Sequence, residues 1–317
     1  PVSEAQVDLS REPIQPIPLE IKLNRGKVEI GEKLFHDKRL SHDNTMSCAT
    51  CHPINTSGTD NKSFSLGVRG DEGPINTPTV FNSGFNFRQF WDGRAATLEE
   101  QAKGPIHNPK EMGSNWDEVL MKLRNDSEYL AKFSSLYPDG LQPNNILDAI
   151  AEYERSLYTP NSQFDKYLRG DNNAISDEEK VGYELFKSVG CIACHQGVGM
   201  GGNMYQVFGV MANYFSDRGN MTTVDYGRYN ITKNERDRHI FKVPSLRNVA
   251  VTPPYLHDGT VKRLEDMVAV MSKYQLGRKL NPKEVELIVK FLHTLTGEYK
   301  GKKLSISTDY LIKMTQD

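Results

Sequence analysis

Two pentapeptides of one pattern, Cys48-Ala-Thr-Cys51-His52 and Cys191-Ile-Ala-Cys194-His195, contain all four cysteines of the 317-residue chain. Cys-x-x-Cys-His is the attachment signature of c-type haem. In such a site the two cysteines form thioethers with the haem vinyl groups, and the histidine is the proximal ligand of the iron. The sequence therefore predicts two covalently bound haem c groups, with His52 and His195 as iron ligands.

Three other uses of paired cysteines fit less well. A zinc site made of two Cys-x-x-Cys knuckles has roughly 15–20 residues between the pairs, whereas 139 residues, 52 to 190, separate these. Disulfides within each pair would close very small loops and would stabilise the fold little. A thioredoxin-like redox pair requires a βαβ context, which the sequence does not indicate.

Length and composition describe an ordinary globular chain. The length is sufficient for two domains with separate cores. A net charge of −2 and a pI near 6.5 argue against a general affinity for nucleic acid. No apolar run approaches the ~18 residues that span a bilayer. The chain opens without Met or an apolar leader, so we expect any signal peptide to have been removed. Haem c is attached outside the cytoplasm, which predicts a periplasmic location.

The sequence repeats itself around the two motifs. Gly31-Glu-Lys-Leu-Phe35 precedes the first and Gly182-Tyr-Glu-Leu-Phe186 precedes the second. Three later pairs of segments are each separated by 166 positions: 76–82 and 242–248, 91–93 and 257–259, 98–100 and 264–266. A constant offset predicts an internal duplication. We expect a mainly α fold with two cytochrome c-like haem domains, each built from a helix, the Cys-x-x-Cys-His turn, a loop and a helix after Asp-Gly.

Proline and other turn-forming residues suggest where these domains begin and end. The proline-rich start, residues 1–21, reads as an extended arm, and Thr159-Pro160-Asn161-Ser162 reads as the domain boundary. The predicted units are therefore the arm, a first haem domain (22–160), a second haem domain (161–300) and a tail without a strong pattern (301–317). Helix signals include a capping box at Ser176 and Glu179 and an Asn281-Pro282 helix start.

The two haems are expected to differ on their distal sides. In the second domain, Met267 and Met271 lie on the helix that begins near Leu264, and a thioether is a suitable distal ligand, although a helix Met more often packs in a core. The position 166 residues before Met271 is Pro105, which cannot ligate iron. Around it we predict a Gly/Pro-rich loop, 101–112, that carries an amide, an imidazole and a carboxylate. Polar groups above an open haem are what proton transfer to peroxide requires.

From about Gly31 to Gly297 the chain resembles the bacterial dihaem cytochrome c peroxidases. The most specific segments are 76–82 and 89–95, followed at family spacing by Gln101, Gly104, Pro105, Glu111 and Met112; segments 164–171, 243–248 and 292–297 also match. The resemblance implies that hydrogen peroxide is reduced to water. It implies a low-potential peroxidatic haem in the first domain and a high-potential His/Met haem, which receives the electrons, in the second.

Site residues are carried over position by position. The resemblance implies that Met271 is the distal ligand of the second haem, that Glu111 is the acid–base carboxylate, and that Gln101 is its neighbour in the peroxide pocket. Trp91 would relay electrons between the haems, and its repeat counterpart His257 is expected to contact a haem. Residues matching the family's calcium site are Asn76, Thr252 and Pro254, the last two through main-chain carbonyls. Donors in the family are small periplasmic cytochromes c or cupredoxins, and its members are often homodimers.

One position departs from the family pattern. Many members carry a histidine, within Ser-x-Gly-His, that blocks the peroxidatic haem until the other haem is reduced. Here the segment reads Ser65-Leu66-Gly67-Val68, and Val68 cannot ligate iron. We therefore expect activation by prior reduction to be weakened or absent; His107 is the one substitute ligand considered.

Two other functions are compatible with two haems. A dihaem oxidase of the methylamine-utilisation type shares Trp91-Asp92-Gly93-Arg94, but it has Tyr in place of the distal Met, so Met271 argues against it. A non-catalytic dihaem electron carrier would have no need of Gln101 and Glu111 above an open haem.

Overall fold

The computed structural model describes residues 11–316, which are mostly helical. The α-helices are α1 (Arg25–Phe35), α2 (Cys48–Cys51), α3 (Leu98–His107), α4 (Trp116–Leu123), α5 (Ser127–Leu136), α6 (Pro143–Ser156), α7 (Gln163–Leu168), α8 (Asp177–Ser188), α9 (Tyr214–Arg218), α10 (Tyr229–Thr232), α11 (Leu264–Tyr274), α12 (Pro282–His293) and α13 (Thr308–Met314). Strands β1 (Tyr205–Val207) and β2 (Ile240–Lys242) form one antiparallel ribbon, and β3 (Glu298–Tyr299) and β4 (Lys302–Lys303) form another. Within the described residues, no helix combines the length and hydrophobicity needed to span a membrane.

A close helix pair lies beside each Cys-x-x-Cys-His motif: α1 packs against α6, and α8 packs against α12. Both contacts depend on a glycine. A Cβ on Gly31 would lie 1.9 Å from the carbonyl oxygen of Ala149, and one on Gly182 would lie 2.1 Å from that of Leu287. Any side chain at either position would push the helices apart. The Gly-x-x-Leu-Phe repeat thus marks the point of closest helix approach in both halves.

The buried apolar residues form separate cores. One, around α1, α4, α5 and α6, includes Leu34, Leu123 and Phe133. A second, around α7, α8, α11 and α12, includes Phe164, Tyr183 and Phe291. Burial of these large side chains is the main stabilising contribution to each half.

The predicted helix caps are confirmed. Ser176 accepts a hydrogen bond from the amide of Glu179, whose side chain bonds back to the Ser176 amide, at the start of α8. Asn281 and Glu284 make the same reciprocal pair before α12, with proline at its first turn. These bonds satisfy amides that the helix itself leaves without partners.

The prediction of a loop over residues 101–112 is wrong for its first part. Residues 101–107 belong to α3, which continues to His107 with Pro105 inside it. Thr97 caps the helix by accepting from the amide of Glu100, and Leu98, Ala102 and Ile106 bury one face. A proline near the end of a helix removes only one intrahelical bond, so this packing outweighs it. Residues 109–112 form turns.

Both chain ends that the structure describes cross to the opposite half. Of the predicted arm, residues 1–10 lie outside the described part; Ile14 and Ile17 are fully buried, and Ile14 lies in the core of the second half. The tail, expected to lack a strong pattern, contains β4 and α13. Leu304 is buried with Phe35 and Phe81 of the first half. Each half is therefore covered by the chain end that is remote from it in sequence.

Local conformations recur at the 166-residue offset. Asn82 and Asn248 are both left-handed, with φ of 63° and 64°. Phe90 and Leu256 also have positive φ, of 68° and 71°. Isolated antiparallel bridges join Gln89 to Ala95 and Tyr255 to Val261. The sequence repeat therefore corresponds to a repeat of backbone shape.

Candidate haem-binding and peroxide site

The first Cys-x-x-Cys-His segment is a single helical turn, α2. Ser47 precedes it in a capping box with Thr50. Nδ1 of His52 lies 3.0 Å from the carbonyl oxygen of Gly58, which assigns the proton to Nδ1 and leaves the Nε2 lone pair available. Burial lowers the pKa of His52, which favours the neutral imidazole that metals require.

The second segment has the same arrangement in a 3₁₀ turn, Cys191–Ala193. Nδ1 of His195 lies 3.1 Å from the carbonyl oxygen of Met200. Burial lowers the pKa of His195 to about 4, so its ring is neutral at physiological pH. As at the first motif, the hydrogen bond orients Nε2 as the free ligand atom.

These residues fit two haem c groups. All four cysteines are free thiols rather than disulfides, so both pairs are available for thioether formation. Both histidines carry the backbone hydrogen bond at Nδ1 that is typical of an iron ligand. Cys48 packs beside the core that contains Phe35 and Tyr153, and Cys191 packs beside the core of the second half.

Glu111 lies close to the first motif, on the turn that follows α3. Its Oε1 accepts a hydrogen bond of 2.7 Å from Nδ2 of Asn108. Burial raises its pKa, while the Asn108 bond and the charge of Arg94 act in the opposite direction. Burial raises the pKa of the Cys48 and Cys51 thiols, and the charge of Glu111 adds a smaller contribution in the same direction. Glu111 is thus a half-buried carboxyl group with a proton affinity above the ordinary range, next to the predicted haem attachment site.

Gln101 lies on α3, the helix that precedes the turn carrying Glu111. Its side chain makes no hydrogen bond to any residue between 11 and 316. Nearby, the ring of Phe90 lies against Gly104, and the Arg94 guanidinium lies 3.5 Å above the Phe90 ring centre. Arg94 is close enough to Glu111 for its charge to act on the pKa of that carboxyl group.

His107, the substitute ligand considered for the first haem, and Val68, which occupies the family's blocking position, are both held by other contacts. His107 directs Nδ1 to the carbonyl oxygen of Ser114, at 3.2 Å, and stands edge-on to Trp116. Val68 is buried, and its amide donates a bond of 2.8 Å to the Glu111 carbonyl oxygen. The loop that carries Val68 is thereby packed against the Glu111 turn.

On the second half, Met271 lies in the last turns of α11. It packs beside an aromatic cluster that contains Phe208, Tyr214 and Tyr274, to which Met267 and Trp91 also contribute. A flexible thioether in apolar surroundings can serve as core packing or as a soft iron ligand. Its assignment as the distal ligand stays a prediction.

Trp91 is held from both halves of the molecule. Its indole Nε1 donates to the Asn76 carbonyl oxygen at 2.9 Å, and its own carbonyl oxygen accepts from the Lys242 amide at 2.8 Å. The repeat makes this contact reciprocal, because the Asn76 amide donates to the His257 carbonyl oxygen at 2.7 Å. Residues 76 and 242, and 91 and 257, are equivalent positions, so the halves exchange the same bond, as across a two-fold axis.

His257 belongs to a buried charge network that the sequence did not indicate. Its Nε2 lies 2.6 Å from Asp225, a fully buried carboxylate, and its ring centre lies 6.4 Å from that of Trp91. Arg218 bonds to both Asp225 and Asp258. These bonds, opposing the effect of burial, hold the pKa of Asp225 near 2. Although Asp225, His257 and Asp258 are close enough to share a metal ion, the Arg218 guanidinium already supplies their countercharge.

The predicted calcium residues lie at the contact between the halves. Asn76 is buried and donates from Nδ2 to the Lys62 carbonyl oxygen at 2.8 Å. Thr252 and Pro254 belong to the segment that leads to His257, which bonds to Asn76. Asn61 donates to the neighbouring carbonyl of Pro253 at 2.8 Å.

Comparison with known proteins places this arrangement in one family. Residues 25–173 match the sequence profile of the di-haem cytochrome c peroxidases. A cytochrome c peroxidase of Escherichia coli is 50% identical over 91% of this chain, which spans only 62% of that protein's length. A cytochrome c551 peroxidase of Nitrosomonas europaea is 45% identical over 96% of this chain and 90% of its own length.

Solved structures agree with this assignment. The crystal structure of a MauG-like protein associated with microbial copper homeostasis superposes with a TM-score of 0.78 at 28% identity, covering 90% of this chain and 93% of that one. With two haem c motifs, a buried carboxyl group beside the first and a tryptophan held between the halves, the chain belongs to the di-haem cytochrome c peroxidase family.

Proposed function

We propose that this chain is a cytochrome c peroxidase, which reduces hydrogen peroxide to two waters with two electrons from a small periplasmic cytochrome c or cupredoxin. The observation that carries the proposal is the position of Glu111: its carboxyl group, whose pKa is raised by burial, lies beside the first haem motif. The relatives that share 45–50% of its residues are named cytochrome c peroxidases.

When bound, the two haem irons supply the position where peroxide binds and a store for transferred electrons. Glu111 supplies the proton movement: as a carboxylate it accepts a proton from one peroxide oxygen and returns it to the other, so that water can leave. The Asn108 amide fixes Oε1 of this group at 2.7 Å. Gln101, whose amide has no other partner among the described residues, orients the O–O bond by hydrogen bonding.

Trp91 relays electrons between the two halves. Its indole nitrogen and its carbonyl oxygen are bonded to equivalent residues, Asn76 and Lys242, from opposite halves. An aromatic ring fixed in this way keeps one orientation with respect to both haem motifs. Met271 would supply a thioether ligand to the second haem iron, which would raise its potential and make this haem the entry point for electrons.

Val68 would leave the first haem open to peroxide without prior reduction. A valine cannot coordinate iron, and the contacts of His107 with Ser114 and Trp116 hold that ring against α4. An electron paramagnetic resonance spectrum of the fully oxidised protein tests this directly. A low-spin, bis-imidazole signal from the first haem would contradict it.

The finer features follow from the family resemblance and from the repeat. We propose that residues 22–160 and 161–300 are domains derived from one ancestral cytochrome c by duplication, which the equivalent glycines, turns and interface bonds support. Asn76 and the carbonyls of Thr252 and Pro254 bind calcium, a cation that prefers oxygen ligands. A periplasmic location rests on the haem c motifs, because this haem is attached outside the cytoplasm, and a homodimer rests on the resemblance. Fractionation tests the location and light scattering tests the homodimer.

Turnover of hydrogen peroxide with reduced cytochrome c tests the main proposal. Saturable oxidation of the donor, with two equivalents consumed for each peroxide, is the expected result. A dihaem electron carrier would take up electrons but would not consume peroxide. An oxidase of the methylamine-utilisation type would carry a tyrosine ligand where this chain has Met271, so a sulfur-ligated second haem argues against that alternative.

A further inference from the structure

Lys242, the last residue of β2, is a buried cation without an anionic partner among the described residues. Its side chain is 9% exposed, and its ammonium makes no ion pair or hydrogen bond with any residue between 11 and 316. Burial alone lowers its pKa to about 8, so it carries a charge for most of the time at neutral pH. A buried charge is costly unless it is paired, which means that the fold calls for an anion at this position.

The surroundings of Lys242 indicate where that anion belongs. Its amide bonds to the Trp91 carbonyl oxygen, so it lies at the contact between the halves. Two residues further along, the Pro244 carbonyl oxygen and Nδ1 of His195 converge on Gly201, where they lie 2.2 Å and 3.2 Å from the position of a Cβ. The backbone of Lys242 thus bonds to Trp91, and the chain two residues further on, at Pro244, approaches the proximal histidine of the second motif.

The repeat shows that the charge is specific to this half. Lys242 occupies the position equivalent to Asn76, and both make the same backbone bond across the interface. Asn76 is neutral, and its amide group is bonded to the Lys62 carbonyl oxygen. Where the first half has a neutral side chain with protein partners, the second half has a cation with none among the described residues.

We propose that the ammonium of Lys242 is the countercharge for the propionate carboxylates of the haem attached to Cys191 and Cys194, and that it raises the reduction potential of this haem. The proposal rests on the dihaem function given above. A haem brings two carboxylates into the protein, and a nearby cation favours the reduced iron, which has one positive charge fewer. Lys242 therefore helps to make the second haem the one that receives electrons.

The test compares the holoprotein with Lys242→Met, which keeps the length of the side chain and removes its charge. The potentials of both haems are measured by spectroelectrochemical titration. We expect the reduction equilibrium of the second haem to shift about tenfold toward the oxidised form, about 59 mV for one electron, and that of the first haem to shift less. Lys233→Met is the matched control, because Lys233 is an exposed lysine of the same segment whose ammonium lies over the Tyr229 ring.

Lys242→Arg should keep the wild-type potential. Unchanged potentials in a Lys242→Met protein with both haems attached would overturn the proposal, and so would an equal shift in Lys233→Met. If Lys242→Met and Lys242→Gln both fail to incorporate the second haem, recovery by arginine supports the proposal, and failure of arginine overturns it. Potentials can be measured whether or not the protein turns over peroxide, so the failure of this inference is distinct from failure of the proposed function.

Discussion

Glu111 is the residue whose surroundings best suit the proton transfer proposed for it. Burial raises its pKa and Asn108 fixes one of its oxygens, so the group can take up and release a proton close to the first Cys-x-x-Cys-His motif. Exposed glutamates of this chain lack that combination; Glu128, for example, is two-thirds exposed and pairs with Lys33.

Glu111→Gln should lower kcat/KM for peroxide about 100- to 10,000-fold, the usual contribution of a positioned acid–base group. Glutamine keeps the shape and the Asn108 contact but cannot carry the proton. Turnover with reduced cytochrome c is the measurement, and the absorption spectrum checks that both haems remain attached. The Glu128→Gln protein serves as the control and should retain full activity. Near-normal activity of Glu111→Gln would show that another group moves the proton.

Among the structural elements, the loop around Val68 has the clearest consequence for function. Its ends are tied by bonds from Gly67 to Asp71 and from Gly73 to Ser65, and the Val68 amide bonds to the Glu111 carbonyl oxygen. Residue 68 is therefore fixed beside the backbone of Glu111.

Val68→His should close the first haem in the oxidised protein, because imidazole is a strong iron ligand. We expect a low-spin signal in the oxidised state and peroxide turnover that begins only after the second haem is reduced. Electron paramagnetic resonance and the lag in the progress curve measure the two effects. Val68→Ala should show neither. An unchanged spectrum in Val68→His would mean that this loop does not reach the iron.

Helix α6 contains a buried carboxyl group that makes stability depend on pH. Glu154 is 7% exposed, and its Oε2 has no hydrogen-bond partner among the described residues. Burial raises its pKa from 4.5 to about 8, with a further contribution from the charge of Glu99. The folded protein thus holds a proton that the unfolded chain releases between these values, so the free energy of unfolding falls as the pH rises through this window.

Glu154→Gln should remove this dependence, because the amide does not titrate. Between about pH 5 and about pH 7, two pH units, we expect the wild type to lose up to about 3 kcal/mol relative to the variant. Denaturant unfolding at several pH values gives the comparison. Glu128→Gln, which alters an exposed carboxylate, should follow the wild type. Parallel pH profiles for wild type and Glu154→Gln would show that the group is not protonated when folded.

In the molecule as a whole, the described chain ends tie the two halves together. Asp165 of the second half is fully buried and accepts bonds from the Ile17 amide, Ser162 Oγ and Arg247 Nη1, at 3.1, 2.8 and 2.8 Å. Arg247, also fully buried, donates to the Gln15 carbonyl oxygen as well. One buried ion pair therefore anchors the segment that precedes the first half onto the core of the second.

Asp165→Asn should lower the free energy of unfolding by about 3–5 kcal/mol, because it leaves the Arg247 charge buried without an anion. Guanidinium unfolding of the holoprotein is the measurement, with Asp71→Asn as the control at an exposed aspartate. A loss below about 1 kcal/mol would place this pair among those that are worth little.

The haem-attachment motifs and the repeat could be predicted from the sequence because both are patterns of fixed spacing. Cys-x-x-Cys-His places its ligands within one turn, and the 166-residue offset is visible without coordinates. Helix caps at Ser176 and Asn281 are local for the same reason. The extension of α3 through Gln101 and Pro105 was missed, because buried contacts outweighed local loop-forming residues.

Tertiary structure alone decided what surrounds these motifs. The Asp225–His257 pair joins residues 32 positions apart, and the reciprocal bonds of Asn76 and Lys242 join different halves. The crossing of Ile14 and Leu304 into opposite cores also joins the two halves. Such contacts depend on how the two folded halves pack. Packing brings together residues that are distant in the sequence, so no local pattern predicts them. The sequence determined which residues can hold haem; the packing of the halves decided which charges and rings stand between the two sites.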